Sequence, residues 1–208
     1  MSLTAALSVS SDPLILASRS DARARMLREV GLAVEVVPAA VDEAAVKVGL
    51  RAEAAPARDV ADMLAELKAQ RVAGRRPDRL VLGADQVLVL DDRILDKPAD
   101  RAEARAQLQA LRGQRHELLS AAVICEAGAP VWRHVGRARL TMRPFSDAFL
   151  DAYLESEGEL VLASVGAYRI EGRGAQLFSR VEGDHFTIMG LPLLELLGFL
   201  RTRGICIE

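Results

Sequence analysis

The sequence predicts an α/β domain built on a mixed sheet flanked by helices. Three observations predict it. Strand-length apolar runs alternate with helical periodicity through the first half of the chain. Two long strand-like runs, His116 to Cys125 and Val131 to Met142, are separated only by turn residues and read as an antiparallel pair. Half of the 208 residues are hydrophobic, which suits one domain with a sizeable core.

In chain order, Pro13 to Ala17 is a short apolar run. Ser18-Arg19-Ser20-Asp21 then opens a helix, with Ser20 as N-cap and Met26, Leu27 and Val30 on its apolar face. Gly31 stops it, and Ala33 to Val37 reads as a second strand ended by Pro38. Residues 38–55 show weak periodicity and read as a loop with some helix. Pro56 to Ala73 is a strong helix closed by Gly74. Leu80 to Leu90 follows as a strand, and Asp91-Asp92 makes a hairpin turn into Arg93 to Leu95. Asp100-Arg101-Ala102-Glu103 is a capping-box pattern for the next helix, which Gly113 ends. After the strand pair, Ser146 caps a helix through Glu155. The glycine-rich stretch Val165 to Gly183 reads as two short strands, and Leu191 to Arg203 makes a last helix. No internal repeat or low-complexity tract interrupts this order, so residues 12–204 read as one domain.

Charge narrows the function. A net charge of -2, from 27 basic and 29 acidic residues, supplies no field towards nucleic acid or a membrane surface. Any anion recognition must come from local basic clusters. Cys125 and Cys206 stand alone, without metal-ligand or redox spacing, which fits a reducing cytoplasm. Met1 to Ser11 lacks the basic region and apolar run of a signal peptide, and Leu191 to Leu200 is too short for a membrane span and carries Glu195. A soluble cytoplasmic protein is the expectation.

The most informative stretch is Leu80-Val81-Leu82-Gly83-Ala84-Asp85-Gln86-Val87-Leu88. It is a buried-strand pattern carrying an aspartate, and a carboxylate in apolar surroundings needs a cation, a metal or hydrogen bonds. Gly83-Ala84 leaves little side chain before it, so a ligand can approach the backbone there. Ser18-Arg19-Ser20-Asp21-Ala22-Arg23, a hydroxyl-rich turn at a helix start, offers N–H groups, hydroxyls and guanidiniums that suit phosphate. The commoner explanation of such a segment is an ordinary cap and a solvated basic face. Glu43, in the loop segment Val41-Asp42-Glu43, gains meaning only beside Asp85, where paired carboxylates can hold a divalent cation. Lys68 sits on the long helix and Lys97 in the turn Asp96-Lys97-Pro98. Each alone is ordinarily a solvated lysine. Together and in this order they form a kit for a metal-bound polyphosphate.

Other chemistries lack their signatures. His116, His134 and His185 are widely separated, the first two in strand-like runs and the third in a loop. There is no Gly-x-Ser-x-Gly elbow or Walker-type loop, and Gly172-Arg173-Gly174 serves a turn.

These blocks resemble the Maf family of nucleoside triphosphate pyrophosphatases, the septum-formation-like proteins, from about Pro13 to Arg203. The resemblance is carried by Leu14-Ile15-Leu16-Ala17-Ser18-Arg19-Ser20 with Arg23, Val41-Asp42-Glu43, Lys68-Ala69, Gly83-Ala84-Asp85-Gln86 and Lys97-Pro98. Later in the chain Gly166-Ala167-Tyr168, Glu171-Gly172, Glu182-Gly183-Asp184 and Gly190-Leu191-Pro192-Leu193 continue it. It implies an elongated Maf/ITPase-like α/β fold with two lobes around a cleft. It also implies hydrolysis of a nucleoside triphosphate to monophosphate and pyrophosphate with Mg or Mn, and a homodimer. Asp85 would be the proton acceptor and, with Glu43, a metal residue. Lys68 and Lys97 would be catalytic, and Ser18, Ser20, Ala22, Arg23, Gln86 and Glu171 would face the substrate.

Departures from the family pattern bear on specificity. Where the members acting on dTTP and UTP carry arginine, threonine and glutamine, this chain has Ala22, Gln86 and Glu171. The last two match the branch resembling 7-methyl-GTP pyrophosphatases, which has an aromatic where Ala22 stands. Glu171 can accept from the adjacent N1–H and N2–H donors of a guanine-like Watson–Crick edge, an edge that a pyrimidine lacks. A house-cleaning enzyme for purine or methylated nucleotides is therefore the expectation. A nucleotide-binding regulator of cell division is the alternative.

Overall fold

The computed structural model describes residues 12–207. Residues 1–11, in which the sequence shows no signal-peptide pattern, and residue 208 lie outside the described residues. The elements alternate as expected: β1 (Leu14–Leu16), α1 (Asp21–Glu29), β2 (Val34–Val36), α2 (Glu43–Ala52), α3 (Ala57–Ala73), β3 (Val81–Leu90) and β4 (Arg93–Leu95). They continue with α4 (Arg101–Leu111), β5 (Arg115–Glu126), β6 (Ala129–Met142), α5 (Asp147–Glu157), β7 (Phe178–Glu182), α6 (His185–Ile188) and α7 (Leu193–Thr202). The strands form one mixed seven-stranded sheet in the order β2-β1-β3-β5-β6-β7, with β4 on β3.

Contacts divide the chain into two compact units. The first holds the chain up to Asp85, Ser120–Gly136 and the chain from Gly190 onward; the second holds Gln86–Leu119 and Arg137–Met189.

In the first unit β1 pairs in parallel with β2, Leu14 opposite Val34, and with β3, Ile15 opposite Val81. Parallel neighbours covered by helices need apolar side chains on both faces, and Leu14, Ile15 and Leu16 are all buried. Leu27, Leu64 and Leu82 complete this core. Ser20 caps α1 by accepting from the Arg23 amide at 3.4 Å, as its place before the apolar periodicity implies. The segment read as mostly loop is instead the full helix α2. Asp42 caps it, accepting from the Ala45 amide at 3.0 Å, and its Ala-rich composition favours helix. None of its residues is buried, and Val46, Val48 and Gly49 are weak helix formers.

In the second unit β3 turns back into β4 through Asp91 and Asp92, both at positive φ (47° and 62°), the conformation of a tight hairpin turn that short polar residues tolerate. Asp100 caps α4 by accepting from the Glu103 amide at 2.8 Å, while the Glu103 carboxylate reaches back to the Ala99 amide at 2.8 Å. β6 and β7 pair antiparallel. Leu88, Leu108, Leu111, Leu118, Leu140 and Leu150 centre the core. The glycine-rich stretch departs from expectation. Only β7 forms there, preceded by short 3-10 turns at Val165–Ala167 and Arg173–Leu177. Gly166 at φ +76° and Ala167 at φ +59° twist the chain out of any ladder.

His116 is 1% exposed and lies 2.8 Å from the Tyr168 hydroxyl through Nε2, with Phe178 beside both rings. Burial holds its pKa down to about 4, so the native ring stays neutral. The unfolded chain takes up a proton near pH 6.5 and the native state does not, so stability falls as pH drops from about 6.5 towards 4. The full loss is about 3 kcal/mol. Urea midpoints at pH 7 and about pH 5 should differ clearly in the wild type and much less in His116→Gln. Equal pH dependence in the two proteins contradicts a neutral buried imidazole.

Candidate functional site

The first unit assembles four of the charged residues that the sequence marks, Arg23, Glu43, Lys68 and Asp85. β1 delivers the chain to Ser18, whose Oγ accepts from the Ser20 amide at 3.2 Å and from Arg23 at 3.1 Å. That leaves the Ser18 hydroxyl hydrogen to donate. Arg23, on α1, is buried. Its Nε donates to the Gly190 carbonyl at 2.7 Å, and its second nitrogen donates to the Ala84 carbonyl at 3.0 Å as well as to Ser18. Burial lowers its pKa, while the charges of Asp85 and Glu43 pull it back up. Arg23 is thus a fixed positive base that ties α1 to β3 and to Gly190.

Lys68 comes from α3 and Asp85 from β3. A Cβ built on Gly83 would lie 2.0 Å from the Ala65 carbonyl oxygen and 2.6 Å from the Ala69 nitrogen, so helix backbone rests directly on the strand. The space that the sequence suggests for a ligand is occupied by α3. One consequence is that Lys68 Nζ stands 2.6 Å from Asp85 Oδ1 and 2.9 Å from Glu43 Oε1. The Lys68 and Asp85 side chains are only 10% and 8% exposed, whereas Glu43, at the start of α2, is 45% exposed. Asp85 Oδ2 is buried without a hydrogen-bond partner among the described residues.

This donor set can be tested against a divalent cation. Groups of three or more His, Cys, Asp or Glu side chains able to hold a metal do not occur among the described residues. A magnesium-type ion does not require one. It takes one or two carboxylates and completes its shell with water and substrate phosphates. Glu43 and Asp85, with a buried oxygen to spare, fit that kind of site.

The remaining candidates behave differently. Ser20 spends its hydroxyl oxygen on the α1 cap, and Ala22 is half-buried on the same helix. Lys97, Gln86 and Glu171 belong to the second unit. Lys97 is exposed, and its segment is pinned where Gln107 Nε2 donates to the Asp96 carbonyl at 3.0 Å. Gln86 Nε2 donates to the carbonyls of Thr187 and Ile188, at 3.2 and 3.0 Å, and so braces α6. Glu171 accepts from Arg169 Nε at 3.3 Å. His185, read as a loop residue, begins α6 behind the Asp184 cap. The sequence reading did not foresee Gly190 and Ala84 as carbonyl anchors for Arg23. Backbone acceptors carry no side-chain signal, and only the Gly-Leu-Pro block around Gly190 hinted at a role.

A family model described as Maf-like protein matches residues 13–203 of the chain. A protein of Paramagnetospirillum magneticum named nucleoside triphosphate pyrophosphatase is 57% identical, over 91% of this chain and 98% of its own. A protein of the same name from Caulobacter vibrioides is 53% identical, over 92% of this chain and 96% of its own. Among solved structures, a nucleoside-triphosphatase (dITP/XTP pyrophosphatase) from Mycobacterium abscessus is similar at 16% identity over 92% of this chain and 95% of that one, with a TM-score of 0.39. With a match that spans nearly the whole described chain, and with relatives identical at more than half of the aligned positions, the chain belongs to the Maf-like protein family.

Proposed function

We propose that this chain is a nucleoside triphosphate pyrophosphatase, releasing a nucleoside monophosphate and pyrophosphate. The observation that carries the proposal is the buried contact of Lys68 with Asp85 and Glu43, beside Ser18 and the anchored Arg23. The names of the relatives support it. Hydrolysis needs a base for water and positive charge for the triphosphate. Asp85 meets the first need: Oδ1 is held by Lys68, and Oδ2 has no hydrogen-bond partner among the described residues and can take the proton as water oxygen attacks the α-phosphorus and the bond to the departing pyrophosphate breaks. Lys68 and Arg23 meet the second with Ser18 as a hydroxyl donor, and the sequence resemblance adds Lys97. A divalent cation, Mg or Mn, would be held by Glu43 and Asp85 and would supply further positive charge to the phosphate oxygens.

For the base, we propose a purine preference that includes methylated guanine nucleotides, with Glu171 as the acceptor. Arg169 Nε donates to Glu171 Oε1 at 3.3 Å, which helps to fix the position of the carboxylate. Gln86 contributes by bracing α6. A cytoplasmic location fits the composition, and no helix among the described residues is long and apolar enough to cross a membrane.

Pyrophosphate release from a nucleotide panel with Mg or Mn tests the activity. Asp85→Asn should lower kcat about 100-fold or more on every substrate while remaining folded by circular dichroism. Near-normal turnover in that variant removes Asp85 as the proton acceptor. Adding a chelator to the wild type should abolish turnover, and Mg or Mn should restore it. For specificity, Glu171→Gln should lower the purine-to-pyrimidine ratio of kcat/KM by about tenfold or more. An unchanged ratio excludes Glu171 as the base reader. Gln86→Thr is the less clean probe because it also removes the two bonds to α6.

A further inference from the structure

We propose that Lys68 is a built-in counter-cation: it occupies the Glu43–Asp85 pair in the nucleotide-free protein and keeps a divalent ion out until a polyphosphate draws it away. The inference rests on the functional reading above and concerns the order in which that site takes its ligands.

The geometry is that of a filled cation site. One ammonium group contacts Asp85 Oδ1 at 2.6 Å and Glu43 Oε1 at 2.9 Å, so it bridges the two carboxylates. Arg23 adds a second positive charge that interacts with both Asp85 and Glu43. A dication entering between Asp85 and Glu43 would face the ammonium at contact distance, where like charges repel strongly.

The two cations differ in freedom. Arg23 is held by three hydrogen bonds, to Ser18, Ala84 and Gly190, and cannot leave without breaking them. Lys68 is a point charge on a flexible four-carbon stem whose acceptors among the described residues are the two carboxylates, so a modest rotation carries its charge elsewhere. A multiply negative triphosphate offers that alternative. As Lys68 moves to a phosphate oxygen, Asp85 Oδ1 and Glu43 Oε1 are released beside the already unpartnered Asp85 Oδ2, and the pair becomes an oxygen site able to take Mg or Mn. Nucleotide and cation then bind with positive coupling, each raising the other's affinity by the same factor.

Mn binding measured by calorimetry, without nucleotide, tests this on the full chain. Lys68→Gln keeps hydrogen-bond donors for both carboxylates but removes the charge, and Lys68→Met serves as a second neutral variant. Either should bind Mn alone about tenfold tighter or more than the wild type, and adding Asp85→Asn should reverse the gain. Variants that bind no tighter than the wild type overturn the inference. So does a wild-type protein that binds Mn alone as tightly as it does with a non-hydrolysable nucleoside triphosphate analogue, a comparison that needs no variant. Mn binding to the wild type with the analogue separates the two failures. If Asp85→Asn weakens it, the metal assignment stands and only the counter-cation role falls; if not, the metal assignment falls with it.

Discussion

The first unit depends on one close approach, the backbone of α3 lying on β3 at Gly83. No side chain larger than hydrogen fits there, because a Cβ would penetrate the Ala65 carbonyl oxygen. That contact fixes how far Lys68 projects past the strand and therefore how close its ammonium comes to Asp85. A helix resting on a methyl group would stand further off, and the buried aspartate would lose the cation that compensates its desolvation. Gly83 is thus less a vacancy for substrate than the seat of the element that charges the site.

Around this contact the two cations divide the labour according to their chemistry. The planar, multi-donor guanidinium of Arg23 suits a fixed junction, and it joins α1, β3 and Gly190 through backbone and hydroxyl acceptors. The compact ammonium of Lys68 suits an exchangeable role between carboxylate and phosphate. Burial lowers the Arg23 pKa, yet Asp85 and Glu43 oppose that shift, so the carboxylates help to keep the junction charged.

The second unit solves a different problem. Its glycine-rich stretch extends the sheet only through β7, because Gly166 and Ala167 upstream adopt left-handed backbone. The residues before β7 form tight turns instead, and these carry Arg169 and Glu171 on a short irregular segment. Beneath them His116, Tyr168 and Phe178 pack as a buried cluster, with the imidazole kept neutral by its surroundings. Polar groups are used here for packing, and the histidine that looks chemical in composition is structural in place.

The sequence by itself determined the alternating α/β order, the caps at Ser20, Asp100 and Ser146, the hairpin turn at Asp91-Asp92 and the identity of Asp85 as a carboxylate in need of a partner. Each of these is local: a cap, a turn or an apolar run is written in a few adjacent residues. It left α2 half-seen, because Val46, Val48 and Gly49 are weak helix formers and none of its residues is buried, and of the two strands it promised in the glycine-rich stretch only β7 forms. Only tertiary structure decided which partner Asp85 has. Lys68 is seventeen residues away and Glu43 is on another helix, and their meeting follows from α3 seating on Gly83. Tertiary structure likewise turned Arg23 from a loose basic residue into a buried junction, through carbonyl oxygens that every residue type possesses. Side-chain chemistry is legible one residue at a time, whereas distance between chain-remote groups is set by packing.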